Sequence, residues 1–284
     1  MKNSNQLKAL IRNYSKESSV SAQILLRNYM HERFLERVSL SKYKNNIVFK
    51  GGQLISVLVG LDSRSTMDID ATIKGLAVNK DYIVGIVDKI LAVRINDNVS
   101  MRLNDVHEIR AETDGGYRVS IDTMFDGIVQ KIKIDITVGD VITPSEFRYE
   151  IGLMFEGRKI AILGYNLETI FSEKLETIIS RGTASTRIRD YYDIYLLFQL
   201  YKDAINHSHM AEAFYQTVKK RGTHAIIKDK DLILSEIYES DVLLKLWNRY
   251  QKEYKYAESV EWEAVLKSVD ACLRICEQQK LRRG

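Results

Sequence analysis

Apolar residues recur at helical spacing through the first 45 residues. Leu7, Leu10, Ile11 and Tyr14 form one stripe. Ser19 to Ser21 offer caps, and Ile24, Leu25, Tyr29, Phe34 and Leu35 continue the pattern beyond them. The charged residues between these positions read as a solvated face. After the loop-like Ser39-Leu40-Ser41-Lys42-Tyr43 the period changes. Ile47-Val48-Phe49 is a short β-branched and aromatic run, the signature of a buried strand. Gly51-Gly52 breaks it, and Gln53 to Leu61 is apolar at 54, 55, 57, 58, 59 and 61, which predicts a helix with at most one narrow solvated side. Asp68-Ile69-Asp70 then reads as strand. Residues two apart on a strand share a face, so both carboxylates project together and Ile69 points to the core.

Tyr82, Ile83, Ile86, Val87, Ile90 and Leu91 share a stripe that predicts a helix over about 79–92. Strand signals follow in series: Val99 to Ile109, then Tyr117 to Asp122 behind the turn Asp114-Gly115-Gly116, then Ile128 to Val138. Within the third, alternation places Asp135 on the side of Lys131, Lys133 and Thr137. Pro144, the one proline, falls in a loop. Phe155 to Ile160 reads as a last hairpin that closes the sheet at Ile162-Leu163-Gly164. From Asn166 the strand signals stop. Helical patterns run over about 167–181, 187–201, 208–220, 232–250 and 260–280. The change near 165 predicts two domains: 1–165, with the N-terminal helices and the sheet, and 166–284, a helical bundle. Residues 280–284 form a short basic end, expected to fray.

Composition narrows this picture only a little. A chain of 284 residues with 45% hydrophobic and 28% charged content is globular. A net charge of +4 permits nucleic acid as a partner without requiring it. The two cysteines, Cys272 and Cys276, lie four apart on a predicted helix, as half-buried thiols rather than a disulfide framework or zinc site. The start of the chain lacks a signal-peptide apolar run, and no apolar run is long enough to span a bilayer. A cytoplasmic protein with no membrane contact is expected.

Two constellations carry candidate chemistry. At the first, Gly51-Gly52 lets the backbone approach a ligand closely, and a helix beginning there aims free N–H groups and a positive dipole end at an anion. Two carboxylates on one face repel unless a cation lies between them, and an oxygen-only pair suits Mg²⁺. Alone, Asp-x-Asp is a common surface pattern; strand, Gly-Gly, helix and Asp-Ile-Asp in this order is far more specific. At the second, Lys174 and Arg181 are seven apart and share a helix stripe, and Asp190 and Asp193 are neighbours on the next predicted helix. Lys174 suits phosphate oxygens as a point charge, and Arg181 or Arg187 as a fork. Either aspartate could fix these cations or touch a nucleotide sugar. A helix pair laced by salt bridges explains the same residues without function.

The stretch "FKGGQLISVLVGLDSRSTMDIDA" resembles the opening motif of the polymerase-β-like nucleotidyltransferase superfamily, and more closely the AbiEii toxins of AbiE abortive-infection systems. "EKLETIISRGTASTRIRDYYDIYLL" is similar to the downstream motifs of that family. The matches span about residues 45–200. The resemblance implies an α+β fold, a nucleotidyltransferase core with a mixed sheet followed by an all-helical domain. It implies a catalytic set of Asp68, Asp70, Lys174 and Asp190. Asp68, Asp70 and a third carboxylate would bind Mg²⁺; Asp135 fits that position best, with Asp122 its competitor. Gly51, Gly52, Arg64, Thr66, Lys174, Arg181, Arg187 and Asp193 would bind the nucleotide. It further implies an NTP donor (GTP or a pyrimidine nucleotide), a tRNA 3′ end as acceptor, and arrest of growth that blocks phage. The expected partner is a separately encoded antitoxin that forms no stable complex with a monomeric toxin. Two departures stand out. Fifteen residues separate Gly52 from Asp68, and Gly52 replaces the serine common in the superfamily, so the backbone must serve where a hydroxyl would. Modification of a small molecule or protein, and non-catalytic nucleotide binding, are the rival readings.

Overall fold

In the computed structural model, residues 1–18, 20–76, 79–109 and 115–281 are described. They divide into two compact units, Met1–Asp140 with Glu146–Tyr165, and Val141–Ser145 with Asn166–Gly284.

The first unit opens with α1 (Ser4–Glu17) and α2 (Ala22–Leu40), capped by Asn3 and Ser21, whose side chains accept from Gln6 N–H and Ile24 N–H. Then come β1 (Ile47–Lys50), α3 (Gly51–Val59), β2 (Ile69–Ile73), α4 (Lys80–Leu91), β3 (Val99–Ile109), β4 (Gly116–Phe125), β5 (Ile128–Val138), β6 (Phe147–Gly152) and β7 (Lys159–Gly164). Among the described residues the strands form one seven-stranded sheet in the order β3-β4-β5-β2-β1-β7-β6. The pairs β1–β7 and β2–β5 are parallel and the other four are antiparallel. The period-2 alternation decides the faces. Ile47, Phe49, Ala71, Ile73, Ile134 and Ile136 pack with Phe34 of α2 and Ile86, Val87 and Ile90 of α4. The other face carries Lys50, Asp70, Thr72, Asp135 and Thr137, in register with one another.

The solvated face expected between the apolar positions of residues 1–45 is not what α2 has. His31, Glu32, Arg33, Glu36 and Arg37 are all buried. Each buried charge has a partner, the condition under which burial is tolerated. Arg33 bridges Glu36 at 3.2 Å and Glu156 at 2.7 Å. Arg37 forks Asp97 at 2.7 and 3.1 Å and donates to the Val99 carbonyl. Glu32 accepts from Met154 N–H at 2.8 Å, yet burial still pushes its carboxyl up to about 7.

The second unit is helical: α5 (Leu167–Arg181), α6 (Ile188–Tyr201), α7 (His207–Arg221), α8 (His224–Lys228), α9 (Lys230–Tyr238), α10 (Asp241–Glu253) and α11 (Trp262–Leu281). Its core gathers Tyr191, Tyr192, Phe214, Trp247 and Trp262. Val141–Ser145 belongs here for a local reason. Asn166 caps α5 through its Oδ1 and donates its Nδ2 to the Thr143 and Ser145 carbonyls at 2.8 and 2.7 Å. The single helix expected over 232–250 is two: one ends at Tyr238 with Glu239 as its C-cap, and Ser240 caps the next by accepting from Leu243 N–H. Cys272 and Cys276 are fully buried rather than half-buried, and burial pushes both thiols up. Among the described residues no helix is long and apolar enough to cross a membrane. The cap Ser19, the turn residue Asp114 and the basic end 282–284 lie outside the described residues.

Candidate active site

Strand register places four charged residues in one line across the first unit. Arg118 on β4 pairs with Asp135 on β5, Asp135 with Asp70 on β2, and Asp70 with Lys50 on β1. Residues directly opposite on neighbouring strands share a face. The line therefore reads cation, carboxylate, carboxylate, cation. Arg118 forks Asp135 with Nε at 2.7 Å and Nη2 at 2.6 Å. Lys50 donates to Asp140 at 2.5 Å, and Asp140 also accepts from Tyr165 Oη at 2.6 Å and Thr137 Oγ1 at 2.7 Å. Burial works against Asp140, but Lys50, Tyr165 and Thr137 together hold its carboxyl below the usual range.

Asp70 has no such relief. Burial pushes its carboxyl up to about 6, and the fields of Asp135 and Asp68 add to this. Lys50 and a hydrogen bond from Gly52 N–H oppose the rise without overcoming it. Asp68 stands one residue ahead of β2, in a bend rather than in the strand. Its place beside Asp70 is set by the loop before it, where Thr66 Oγ1 donates to the Asp68 carbonyl at 3.3 Å.

The two glycines are required by space. Gly51 has φ of +61°, and a Cβ there would stand 2.2 Å from Asp70 Oδ2. A Cβ on Gly52 would stand 2.8 Å from Thr66 Oγ1 and 3.0 Å from Arg64 Nη2. The diglycine start of α3 is thus packed against Asp70, Thr66 and the buried Arg64. In this structure the helix N-terminus faces a carboxylate. The first turn is held from behind, where His31 Nδ1 donates to Gln53 Oε1 at 2.9 Å, and burial pushes the His31 imidazole down to about 4.

The first unit fits a divalent cation on its donor chemistry. Its central carboxylates offer oxygen only, and Asp70 is a half-buried acid whose anion lacks full compensation, the condition that a bound cation relieves. Among the described residues no three His, Cys, Asp or Glu side chains already surround a common point, and Asp135 is held by Arg118. Asp122, the competitor for third carboxylate, lies four pairs along the hairpin, with Asn104 Nδ2 donating to it at 2.5 Å and Arg102 and Lys131 nearby.

In the second unit, Lys174 on α5 donates to Asp190 Oδ1 at 2.6 Å and Asp193 Oδ2 at 2.8 Å, both on α6. Arg187 Nε donates to Asp190 Oδ2 at 2.7 Å. Burial opposes charge on both sides, but the ion pairs win: Lys174 and Arg187 hold Asp190 down to about 2, and the two aspartates hold Lys174 above its ordinary value. Arg187 supplies a guanidinium to Asp190, and Arg181 is the last residue of α5.

Sequence reasoning missed Lys50, Arg118 and Asp140. The signal for Arg118 was present. Asp126-Gly127, both at positive φ (43° and 79°), form a two-residue hairpin turn that fixes Arg118 opposite Asp135.

A mixed sheet with a diglycine helix start beside paired carboxylates, in a chain that ends in helices, defines a nucleotidyltransferase of α+β class. The family model for "Nucleotidyl transferase AbiEii toxin, Type IV TA system" matches residues 33–274. The chain belongs to that family of toxin–antitoxin nucleotidyltransferases, as the motifs at 49–71 and 173–197 implied. A protein of H. pylori assigned as a nucleotidyltransferase superposes with a TM-score of 0.50 at 19% identity, over 92% of this chain and 98% of that one. JHP933 from Helicobacter pylori gives a TM-score of 0.50 at 18% identity, over 93% and 96% of the two chains. At such identities the likeness speaks to fold. A search of curated proteins returns no significant match.

Proposed function

We propose that this chain transfers a nucleoside monophosphate from an NTP to the 3′ end of tRNA, with Mg²⁺ as cofactor, and thereby arrests growth and blocks phage. One observation carries the reading: Asp70 lies against the diglycine start of α3 and is in register with a second carboxylate, Asp135, on the adjacent strand. Asp68, Asp70 and Asp135 would hold the metal. Bound there, Mg²⁺ would neutralise triphosphate charge and favour attack by an acceptor hydroxyl. Gly51 and Gly52 leave the backbone bare where a phosphate must come close, with Arg64 and Thr66 beside them. In the helical unit, Lys174 is a buried cation fixed by Asp190 and Asp193, with Arg187 on Asp190, a group suited to taking charge from a departing pyrophosphate. Most of the rate enhancement would then come from positioning and fixed charge. GTP or a pyrimidine nucleotide is the proposed donor, a monomer acting in the cytoplasm the proposed form, and a separately encoded antitoxin the proposed antagonist.

The test is incubation with each of four labelled NTPs and purified tRNA, followed by 3′-end mapping. Label from one NTP at the tRNA 3′ terminus is the expected result. Label on a small molecule or a protein would move the acceptor there, and NTP binding with no pyrophosphate release would refute transfer altogether.

A further inference from the structure

The line Arg118–Asp135–Asp70–Lys50 holds its two cations in different ways. Lys50 is anchored outside the carboxylate pair, on Asp140, which Tyr165 and Thr137 also hold. Arg118 has one partner among the described residues, and that partner is Asp135 itself. Its fork uses both Asp135 oxygens, and its side chain is 35% exposed against 20% for Asp135. A fork that occupies both oxygens leaves Asp135 few lone pairs for a metal, and a fixed positive charge beside the site repels a second one. Asp68 and Asp70 also act on Arg118 through their fields. The guanidinium therefore sits in the combined field of all three carboxylates, where a divalent ion would be drawn.

We infer that Arg118 is a placeholder cation: it closes on Asp135 while no divalent ion is bound, is displaced when one binds, and is then available to an anionic phosphate oxygen. This rests on the reading of Asp68, Asp70 and Asp135 as metal ligands. The placeholder serves a physical need. Without it, the carboxylates of Asp70 and Asp135, in adjacent register, would repel each other with Lys50 alone to offset them. With it, Asp135 has a cationic partner, at the cost of competing with the metal. Toward the metal, Arg118 acts as a positioning residue, through Asp135.

The test is Mn²⁺ binding to the full chain without nucleotide, followed by electron paramagnetic resonance. The proteins are wild type, Arg118→Gln, Arg118→Lys and Asp70→Asn, each checked for folding by circular dichroism. Arg118→Gln removes the competitor and should bind Mn²⁺ roughly tenfold more tightly. Arg118→Lys keeps the charge without the fork and should fall between. A merely structural ion pair would give unchanged or weaker binding in a folded Arg118→Gln protein, and that overturns the inference. If that variant does not fold, Arg118→Lys decides alone: tighter than wild type supports the placeholder, and equal affinity overturns it. If wild type binds Mn²⁺, Asp70→Asn loses it, and neither Arg118 variant tightens, only the placeholder fails. If wild type binds none, or Asp70→Asn binds as well as wild type, the metal-ligand reading fails and takes the placeholder with it.

Discussion

Asp70 and the glycine beside it carry the sharpest predictions at the scale of single residues. Asp70→Asn removes an oxygen ligand and should cut nucleotide transfer by about 10³-fold, or roughly 4 kcal/mol of barrier. Labelled-NTP incorporation measures it, and an unaffected rate in a folded protein would end the metal role. The same change should stabilise the metal-free chain at neutral pH. A carboxyl raised from 3.8 to about 6 binds more protons folded than unfolded between those values. Its favourable contribution is complete below 3.8 and is lost as pH rises through 6, a difference of about 3 kcal/mol. In EDTA at pH 7.5, Asp70→Asn should therefore melt above wild type, and the gap should close below pH 4. Gly51→Ala tests the close approach. Its Cβ would collide with Asp70 Oδ2 at 2.2 Å, whereas Gly60, also at positive φ, opens onto free space. Gly60→Ala should cost about 1 kcal/mol of backbone strain, and Gly51→Ala clearly more in urea titrations. Equal costs would mean that Asp70 moves aside freely.

Where a whole element could be read from sequence, its period matched its environment. Strands β3 and β5 and helices α4 and α5 have one apolar and one polar side, so their limits were legible to within a residue or two, whereas β4 runs three residues beyond the expected Asp122, to Phe125. The same alternation placed Asp135 on the polar face of β5. Helix α2 defeats that logic. It is buried around most of its circumference, so its charges mark partners rather than solvent, and nothing local in the sequence names Asp97 or Glu156 as those partners. The line Arg118–Asp135–Asp70–Lys50 needed strand order as well, which depends on pairings between β2 and β5 that are distant in sequence. The buried pair Arg37–Asp97 tests how α2 tolerates its charges. Arg37→Met leaves Asp97 buried and unpaired and should cost about 3–5 kcal/mol, whereas adding Asp97→Leu should restore most of the loss. Urea unfolding of both variants measures it. A double variant as unstable as the single one would show that the Val99 carbonyl, not the ion pair, is what Arg37 serves.

At the scale of the molecule, the two units hold titratable groups that differ in their response to mild acid. In the helical unit, Asp190 is lowered to about 2, so its contribution is complete above 3.8 and is lost only as pH falls through 2. Lys174 is raised above 10.5, so its contribution is complete below that value and is lost in strong alkali. Between pH 5 and 7.5 this unit should hardly respond. In the sheet unit, His31 is lowered from 6.5 to about 4, and its contribution is lost as pH falls from 6.5 towards 4. Glu32, raised from 4.5 to about 7, and Asp70, raised from 3.8 to about 6, act the other way and gain over the same range. Together they outweigh His31, so without divalent metal the sheet unit should be about 2 kcal/mol more stable at pH 5 than at pH 7.5. The chain supplies its own reporter for the comparison. Both tryptophans, Trp247 and Trp262, lie in the helical unit. In EDTA, tryptophan fluorescence should give the same melting midpoint at the two pH values. The amide I β-sheet band in the infrared should give a higher midpoint at pH 5. A sheet midpoint that falls on acidification would show that His31 dominates and that Asp70 is an ordinary, fully ionised carboxylate, which removes the electrostatic reason for a cation at that site.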